Sequence, residues 1–436
     1  MEVRDPVHGS IHILNEEVPI IQDAFFQRLR NIKQLGFSEY VFPGATHTRF
    51  IHSIGVMNVG DRAFDKLFKG FHSTPDLLKL KETFKLACLL HDIGHAPLSH
   101  TTEYVMPGLQ DLKIPKEFLS PKDQTSKRMA THEDYTIKSI ADSSFAKSFH
   151  LVESSFGVER KYIADLIRGS TQNESYFTLE GINYFPLLHQ LVSSELDCDR
   201  MDYLLRDSYF CGVSYGSYDL DWLLDNLEIC VEGNKAFLGI TERAVVTFDD
   251  FLLSRYHMFV MVYFHYRAVC LEKLLYKYFE TAPDEYRIPA DIEKYVEHDD
   301  HFLMKTMRNS KNRYAEQIVK NKIPPKVYES FNLDQKAQLE KVQQFLEEEG
   351  IEYIRSSSKG RLSKYYEGQE PQEHVTYPMK VVRKYYDSQS RIISNINEAT
   401  ELFQKFAHSH EINRLHCYRS SMTTAQASQL KDLTSH

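Results

Sequence analysis

The sequence predicts a mainly α-helical fold with a smaller mixed α/β region toward its C-terminal end. Apolar residues recur at three- and four-residue spacing through most of the first 280 positions, the pattern of helices with one buried face. After about Ala282 the texture changes to a charged, Lys/Glu-rich chain, and alternating stretches appear near 375–396 and 415–418. The chain has 436 residues, 42% of them hydrophobic and 12% aromatic, which is enough for a sizeable core. These features divide it into a core over residues 1–280, a helical and strand-containing region over 281–418, and a flexible tail over 419–436.

The elements follow in order. Asp5-Pro-Val-His-Gly-Ser-Ile-His alternates as a short strand or hairpin. Val18 to Leu35 reads as one amphipathic helix closed by Gly36, with Ile21, Phe25, Phe26, Leu29, Ile32 and Leu35 on its apolar side. Arg28, Arg30 and Lys33 on that helix have a bland reading as a solvated basic face. Pro43-Gly44 makes a turn, and a helix then carries Arg49 and His52 on one face. A packed core histidine is the plain reading of His52 taken alone.

Asp76 to Leu90 reads as a helix in which Leu80, Phe84, Cys88 and His91 share the inward face. An inward imidazole followed at once by Asp92 is poorly explained by packing, because buried ionisable groups need partners or a metal. Gly94 and Pro97 break the helix and leave His95 and His100 at its mouth. Residues 107–131 read as an irregular insertion, with helical periodicity resuming at His132. Pro186 to Asp207 reads as a second long helix, with Asp199, Tyr203 and Asp207 in one stripe and Asp202–Arg206 as an ion pair on another side. Phe248 to Phe279 reads as a third, with Arg255, Phe259 and Tyr263 four apart. For that stripe a core aromatic row with a snorkelling arginine competes with a functional role. Leu333 to Leu346 is helical in period, and Ser356 to Arg361 reads as a loop.

Composition excludes several classes. A formal charge of −9 disfavours a nucleic-acid coat or a polybasic membrane anchor. Met258 to Leu271 is broken by His265 and Arg267, and no other run is apolar enough for a membrane span. The six cysteines form no Cys-x-x-Cys pair, so a reducing cytoplasm without disulfides is expected. There is no Gly-x-x-x-x-Gly-Lys-Ser/Thr and no Gly-x-Gly-x-x-Gly, so neither a P-loop nor a Rossmann nucleotide site is supported.

His52, His91, Asp92 and Asp199 come from three segments and could converge on one divalent ion. Imidazole with carboxylate suits Mn, Fe, Zn, Ni or Co, or Mg with waters completing its shell. Such an ion polarises a phosphoryl oxygen. His95, His100 and His132 are the candidate proton donors, with Glu103 or Glu133 to orient one of them. Arg49, Arg200 and Arg255 lie on or beside the ligand-bearing segments, which points to a polyphosphate.

The order His52…His91-Asp92…Asp199 resembles the HD-domain metal-dependent phosphohydrolases. The flanking motifs are more specific: Gln27-Arg-Leu-Arg-Asn-Ile-Lys-Gln-Leu-Gly36, Phe42-Pro-Gly-Ala-Thr-His-Thr-Arg-Phe-Ile-His-Ser-Ile-Gly55, His91-Asp-Ile-Gly-His-Ala-Pro-Leu-Ser-His100 and Asp197-Cys-Asp-Arg-Met-Asp-Tyr-Leu-Leu-Arg-Asp207. Together they resemble the deoxynucleoside triphosphate triphosphohydrolases, in the branch of the vertebrate SAM-and-HD-domain enzyme and its bacterial dGTPase relatives. The likeness covers residues 1 to about 280.

The resemblance implies metal ligation by His52, His91, Asp92 and Asp199, and triphosphate binding by Arg49, Arg200, Tyr203 and Arg255. It places Gln34 and Asp207 at the sugar 3′-hydroxyl, and Leu35 and Tyr263 against the 2′ carbon. His100 matches a general acid, with His95, His132 and Glu103 beside it. The implied products are a deoxynucleoside and inorganic triphosphate. It also implies a dimer or tetramer. Gln27 and Arg30 match part of a nucleotide activator site, whose aspartate is replaced here by Gln22. Two alternatives remain: an HD phosphohydrolase for ribonucleotides, monophosphates or cyclic nucleotides, and a catalytically silent nucleotide-sensing scaffold. For the latter, Lys380-Val-Val-Arg-Lys-Tyr-Tyr386 is the candidate nucleic-acid contact.

Overall fold

The structure is a computed structural model. It describes residues 1–331, 335–360, 377, 379–384, 391–400, 402, 410–418 and 422–434. The fold is mainly α-helical, as expected. A hairpin of β1 (Glu2–Asp5) and β2 (Gly9–His12) opens the chain. Two long helices then carry the centre of the molecule, α1 (Arg49–Leu67) and α2 (Pro75–Leu90). Helix α2 starts where the Thr74 side chain accepts from the Leu77 N–H and Pro75 sets the first turn. Leu80, Phe84, Leu86, Ala87, Leu89 and Leu90 are all buried, so the end of α2 runs into the core with His91 at its cap.

Three expected helices are broken, and each break places a functional segment. Residues 18–35 are not one helix. Val18–Gln22 and Ala24–Gln27 are separate turns, because Asp23 caps the second by accepting from the Phe25 N–H. The chain then goes extended from Ile32. The Gln34 N–H donates to the His47 carbonyl at 3.0 Å and the Arg49 N–H to the Ile32 carbonyl at 2.9 Å, so Lys33–Leu35 lie alongside residues 46–48. Gly36 has φ +49 but ends no helix.

Residues 186–207 split into α4 (Phe185–Val192) and α5 (Cys198–Cys211), with α3 (His132–Ala141) preceding them. Asp197 restarts the helix by accepting from the Arg200 N–H at 2.8 Å. The third run splits into α6 (Val245–Met258), a π-helical turn (Phe259–Tyr263) and α7 (Tyr266–Thr281). The His265 side chain caps α7 by accepting from the Arg267 N–H.

A sheet built from β3 (Thr178–Leu179), β4 (Ile182–Asn183), β5 (Leu227–Glu232), β6 (Lys235–Thr241), β9 (Lys380–Lys384) and β10 (Arg391–Asn395) lies beside the helices. A second sheet has the order β7 (Lys326–Ser330), β11 (His410–Cys417), β8 (Tyr353–Gly360). Ser356–Gly360 is therefore strand, not loop: each residue from Tyr353 to Gly360 pairs with β11, and Arg361 lies outside the described residues.

The main hydrophobic core does not stop near 280. It continues through Tyr286, Tyr295, Leu303 and Ile318, and takes in Met379 and Val381 from the first sheet. The helix α8 (Asp300–Asn309) belongs to that main core through Leu303 and Met307, and a separate small core joins α9 (Lys336–Glu348) to the second sheet through Leu339, Val342, Leu346 and Leu415. The tail holds helix α10 (Thr424–Thr434), whose Leu430 is buried in that small core.

The basic stretch on β9 is neutralised. Lys380 pairs with Glu232 at 2.6 Å, Arg383 with Glu242, and Lys384 with Glu228. It does not present a bare cationic face, and Tyr385 and Tyr386 lie outside the described residues. None of the six cysteines is joined in a disulfide. Among the described residues no helix is long and apolar enough to cross a membrane.

Candidate metal centre

His52 lies in the first turns of α1, His91 caps α2, Asp92 follows it, and Asp199 stands in the first turn of α5. The fold brings all four together. His52 Nε2 is 3.0 Å from Asp199 Oδ1 and 3.6 Å from Asp92 Oδ2. His91 Nε2 is 3.6 Å from Asp199 Oδ1 and 3.4 Å from Asp92 Oδ1. One donor atom each from His52, His91 and Asp199 lies within 4.8 Å of the other two, a set that could hold a metal ion. Asp92 is not one of that trio, and its Oδ2 pairs with Arg49.

The donor chemistry fits a cation. His52 Nδ1 is bonded to Asp202 Oδ2 at 2.7 Å and His91 Nδ1 to the Cys88 carbonyl at 2.8 Å. These bonds put the ring protons on Nδ1 and aim the Nε2 lone pairs at the shared centre, as in carboxylate–histidine–metal arrangements. Both Nε2 atoms are buried and make no hydrogen bond. Burial opposes charging the two rings, yet Asp199 and Asp202 push His52 up to about 9, and Asp92 and Asp199 do the same to His91. Burial likewise opposes ionised Asp92, and Arg49, His91 and His95 overcome it, holding the carboxyl well below its usual range. Without a metal the site draws protons; a bound divalent cation would displace them.

A buried support stands beneath His52. Arg206 makes a fork to Asp202 through Nε and Nη2, both at 2.8 Å, and reaches Asp5 Oδ2 with Nη1 at 2.8 Å. His8 Nε2 meets Asp202 Oδ1 at 2.6 Å. The i,i+4 pair read from the sequence is present, but it faces the core. Gly55 on α1 makes room, since a Cβ there would collide with Asp202 and Arg206.

A second constellation adjoins the first. His95 Nε2 is 3.2 Å from Asp92 Oδ1, and its ring stacks on His132 at 4.0 Å. Glu103 bridges His132 Nδ1 at 2.5 Å and His100 Nδ1 at 3.0 Å. Burial, Arg49 and His132 hold His95 well below its usual range, so it is a neutral imidazole. Burial opposes ionising Glu103, but its bonds to His100 and His132 bring it down to about 2. The His100 side chain is 68% exposed, so of this group it is the one open to a ligand. Glu133 is exposed and Glu103 does the bridging.

Two of the expected phosphate-binding arginines are held by carboxylates. Arg200 pairs with Asp197 at 2.5 Å, and Arg255 Nη1 with Glu195 Oε2 at 3.0 Å. Burial pushes the Tyr203 hydroxyl up to about 12, and the positive charges of Arg255 and Arg200 act against that shift. Asp207 accepts from the Tyr263 hydroxyl at 2.7 Å and meets His47 Nε2 at 2.7 Å. His47 was not singled out from the sequence, yet its carbonyl also holds the Gln34 N–H. Gln34, Asp207 and Tyr263 thus belong to one connected group. Leu35 is half-buried against the main core. Gln27 and Arg30 bond each other at 2.7 Å, Arg30 lies over the Phe50 ring, and Gln22 is exposed nearby in sequence.

Residues 49–206 match the HD domain and residues 219–347 the HD associated region. This is an HD-domain protein. Over 281 residues it is 32% identical to the uncharacterized protein YwfO of Bacillus subtilis, with 64% of this chain and 55% of YwfO covered. It is 26% identical over 328 residues to the deoxynucleoside triphosphate triphosphohydrolase SAMHD1 homolog of Dictyostelium discoideum, covering 73% of this chain and 57% of that protein. The alignments span less than two thirds of each of these relatives. The HD-domain fold extends further in space than in sequence: a hypothetical protein from Aquifex aeolicus superposes with a TM-score of 0.73 at 26% identity, over 98% of this chain and 99% of that one.

Proposed function

We propose that this HD-domain protein hydrolyses deoxynucleoside triphosphates to a deoxynucleoside and inorganic triphosphate. The observation that carries the reading is the convergence of His52, His91 and Asp199 as one donor set, with His95 of the adjoining histidine cluster 3.2 Å from Asp92. The similarity to a deoxynucleoside triphosphate triphosphohydrolase supports it.

His52, His91, Asp92 and Asp199 would hold a divalent ion, which supplies Lewis-acid polarisation of a phosphoryl group when bound. Arg49, Arg200, Arg255 and Tyr203 bind the triphosphate, and Arg49 also fixes Asp92. His100 binds Glu103 through Nδ1, which leaves Nε2 to give a proton to the departing 5′ oxygen. Glu103 holds that ring in orientation, and His95 stays neutral beside it. Asp207 and Gln34 take the sugar 3′-hydroxyl, while Tyr263 and Leu35 close the space at the 2′ carbon. The protein acts as a homo-oligomer.

The test is a panel of dNTPs, rNTPs and nucleoside monophosphates with Mn or Mg, for the wild type and for His91→Ala and Asp92→Ala. We expect hydrolysis of dNTPs well above rNTPs, and no turnover by either variant. Equal rates for dNTPs and rNTPs would contradict the steric argument, and full activity of the variants would contradict the metal site.

A further inference from the structure

The loop between His91 and His100 is held from outside the HD domain. Three contacts grip its backbone in succession, and all involve residues 295–300. The Tyr295 hydroxyl donates to the Gly94 carbonyl at 2.7 Å. Arg28 donates to the His95 carbonyl at 2.8 and 2.6 Å and to the His298 carbonyl at 3.3 Å, with its guanidinium over the Tyr295 ring. Asp300, at the start of α8, accepts from the Leu98 N–H through Oδ1 at 2.8 Å. The HD match ends at residue 206, so Tyr295, His298 and Asp300 belong to the HD associated region, while Arg28 precedes the HD match.

Asp300 does more than hold one strand. Its Oδ2 accepts from the Lys33 N–H at 3.0 Å. One buried carboxylate therefore ties the segment that carries Gln34 and Leu35 to the elbow that precedes His100. That elbow is strained. Leu98 has φ +56 and Ser99 φ +59, two consecutive left-handed residues with side chains, a conformation that persists only when its surroundings impose it. The Ser99 hydroxyl then accepts from Arg49 Nε at 3.1 Å and Nη2 at 3.0 Å, and Arg49 holds Asp92. Burial pushes the Asp300 carboxyl up to about 6, and the Lys33 and Leu98 N–H groups pull against that shift, as expected where those two bonds favour the ionised form.

We propose that Asp300 is a positioning residue for the phosphohydrolase site, setting the Leu98–Ser99 elbow and, through it, the placement of His100 and Arg49. This rests on the phosphohydrolase reading above for its effect on rate, but not for its effect on the loop. Asp300 touches neither the metal ligands nor the proton-donor cluster.

The experiment compares Asp300→Ala and Asp300→Asn with Asp299→Ala in the full chain. Asp299 caps the same helix by accepting from the Phe302 N–H, so it reports loss of helix stability alone. Two readouts are taken: hydrogen exchange at the Leu98 and Lys33 amides, and kcat and KM for dNTP hydrolysis with Mn. Exchange at both amides should accelerate in the Asp300 variants and not in Asp299→Ala. In Asp300→Ala kcat should fall by about 100-fold with KM little changed, the loss expected from a small misplacement of reacting groups. Asp300→Asn, which keeps one acceptor, should lie between. Mn affinity measured by calorimetry should be unaltered. Unchanged exchange, or a kcat in Asp300→Ala equal to that of Asp299→Ala, would overturn the proposal. Accelerated exchange in a protein whose wild type hydrolyses no dNTP would instead overturn the functional reading and leave the positioning role standing.

Discussion

At the scale of residues, the candidate ligands owe their aim to groups that touch no metal. His52 is oriented by Asp202, which is held by Arg206 and His8, and His91 is oriented by a carbonyl of its own helix. Outer partners of this kind typically govern metal affinity about 10–100-fold. Asp202→Asn should weaken Mn binding by about that factor, measured by calorimetry on the purified protein. The amide keeps the volume, and Arg206 retains Asp5, so the core should remain filled. Unaltered affinity would mean that His52 needs no carboxylate to present its Nε2. The sequence showed the ligands but not this support. His52, His91, Asp92 and Asp199 stand in a recognisable order, whereas Asp5 and His8 are far from Asp202 in the chain and read only as part of a short strand or hairpin. Asp202 and Arg206 showed the right spacing, but spacing does not tell which face of a helix is buried.

At the scale of elements, α1 and α2 meet across a buried charge cluster remote from the ligands. Lys85 lies 2.8 Å from Glu17, 3.7 Å from Asp61 and 3.8 Å from Glu82. Burial pushes the Glu82 carboxyl up to about 8, with Lys85 drawing it down and Glu17 pushing it further up. An unfolded glutamate releases its proton near 4.5. Between those values the folded chain keeps a proton that the unfolded chain has lost, so stability from this group falls as pH rises from about 4.5 toward 8 and is level above that. The slope is bounded at about 1.4 kcal/mol per pH unit for one proton. Glu82→Gln should flatten the decline, measured by urea unfolding at several pH values. Parallel pH curves for the two proteins would show that Glu82 does not titrate in that window.

Element boundaries were the least legible feature. The apolar period through 18–35, 186–207 and 248–279 was real, since Phe26, Leu29, Leu188, Leu204 and Phe251 are all buried. What ended each helix was a competing backbone partner. Asp23, Asp197 and His265 capture N–H groups locally, and His47 pulls Gln34 into an extended pairing. Such competition leaves no trace in hydrophobic period. The strand at Ser356–Gly360 was missed for a related reason. Three serines and a lysine show no alternation, and the strand exists because β11 pairs with it.

At the scale of the whole molecule, the HD domain and the HD associated region act as one body around the centre. The main core runs through both, and residues 295–300 grip the loop that holds His95 and His100. The helical class and the grouping of ligands were readable because they rest on period and on motifs. The part played by residues beyond 280 was not, because a contact such as Asp300 with Leu98 spans about two hundred residues and follows from tertiary packing alone.

The most direct test of the account is where water attacks. The protein should be given dGTP and Mn in H2 18O, and the phosphorus-containing product examined by 31P NMR. Attack at the α-phosphorus with departure of the 5′ oxygen predicts inorganic triphosphate carrying one 18O, and a deoxynucleoside carrying none. Release of phosphate or pyrophosphate, or label in the deoxynucleoside, would contradict it.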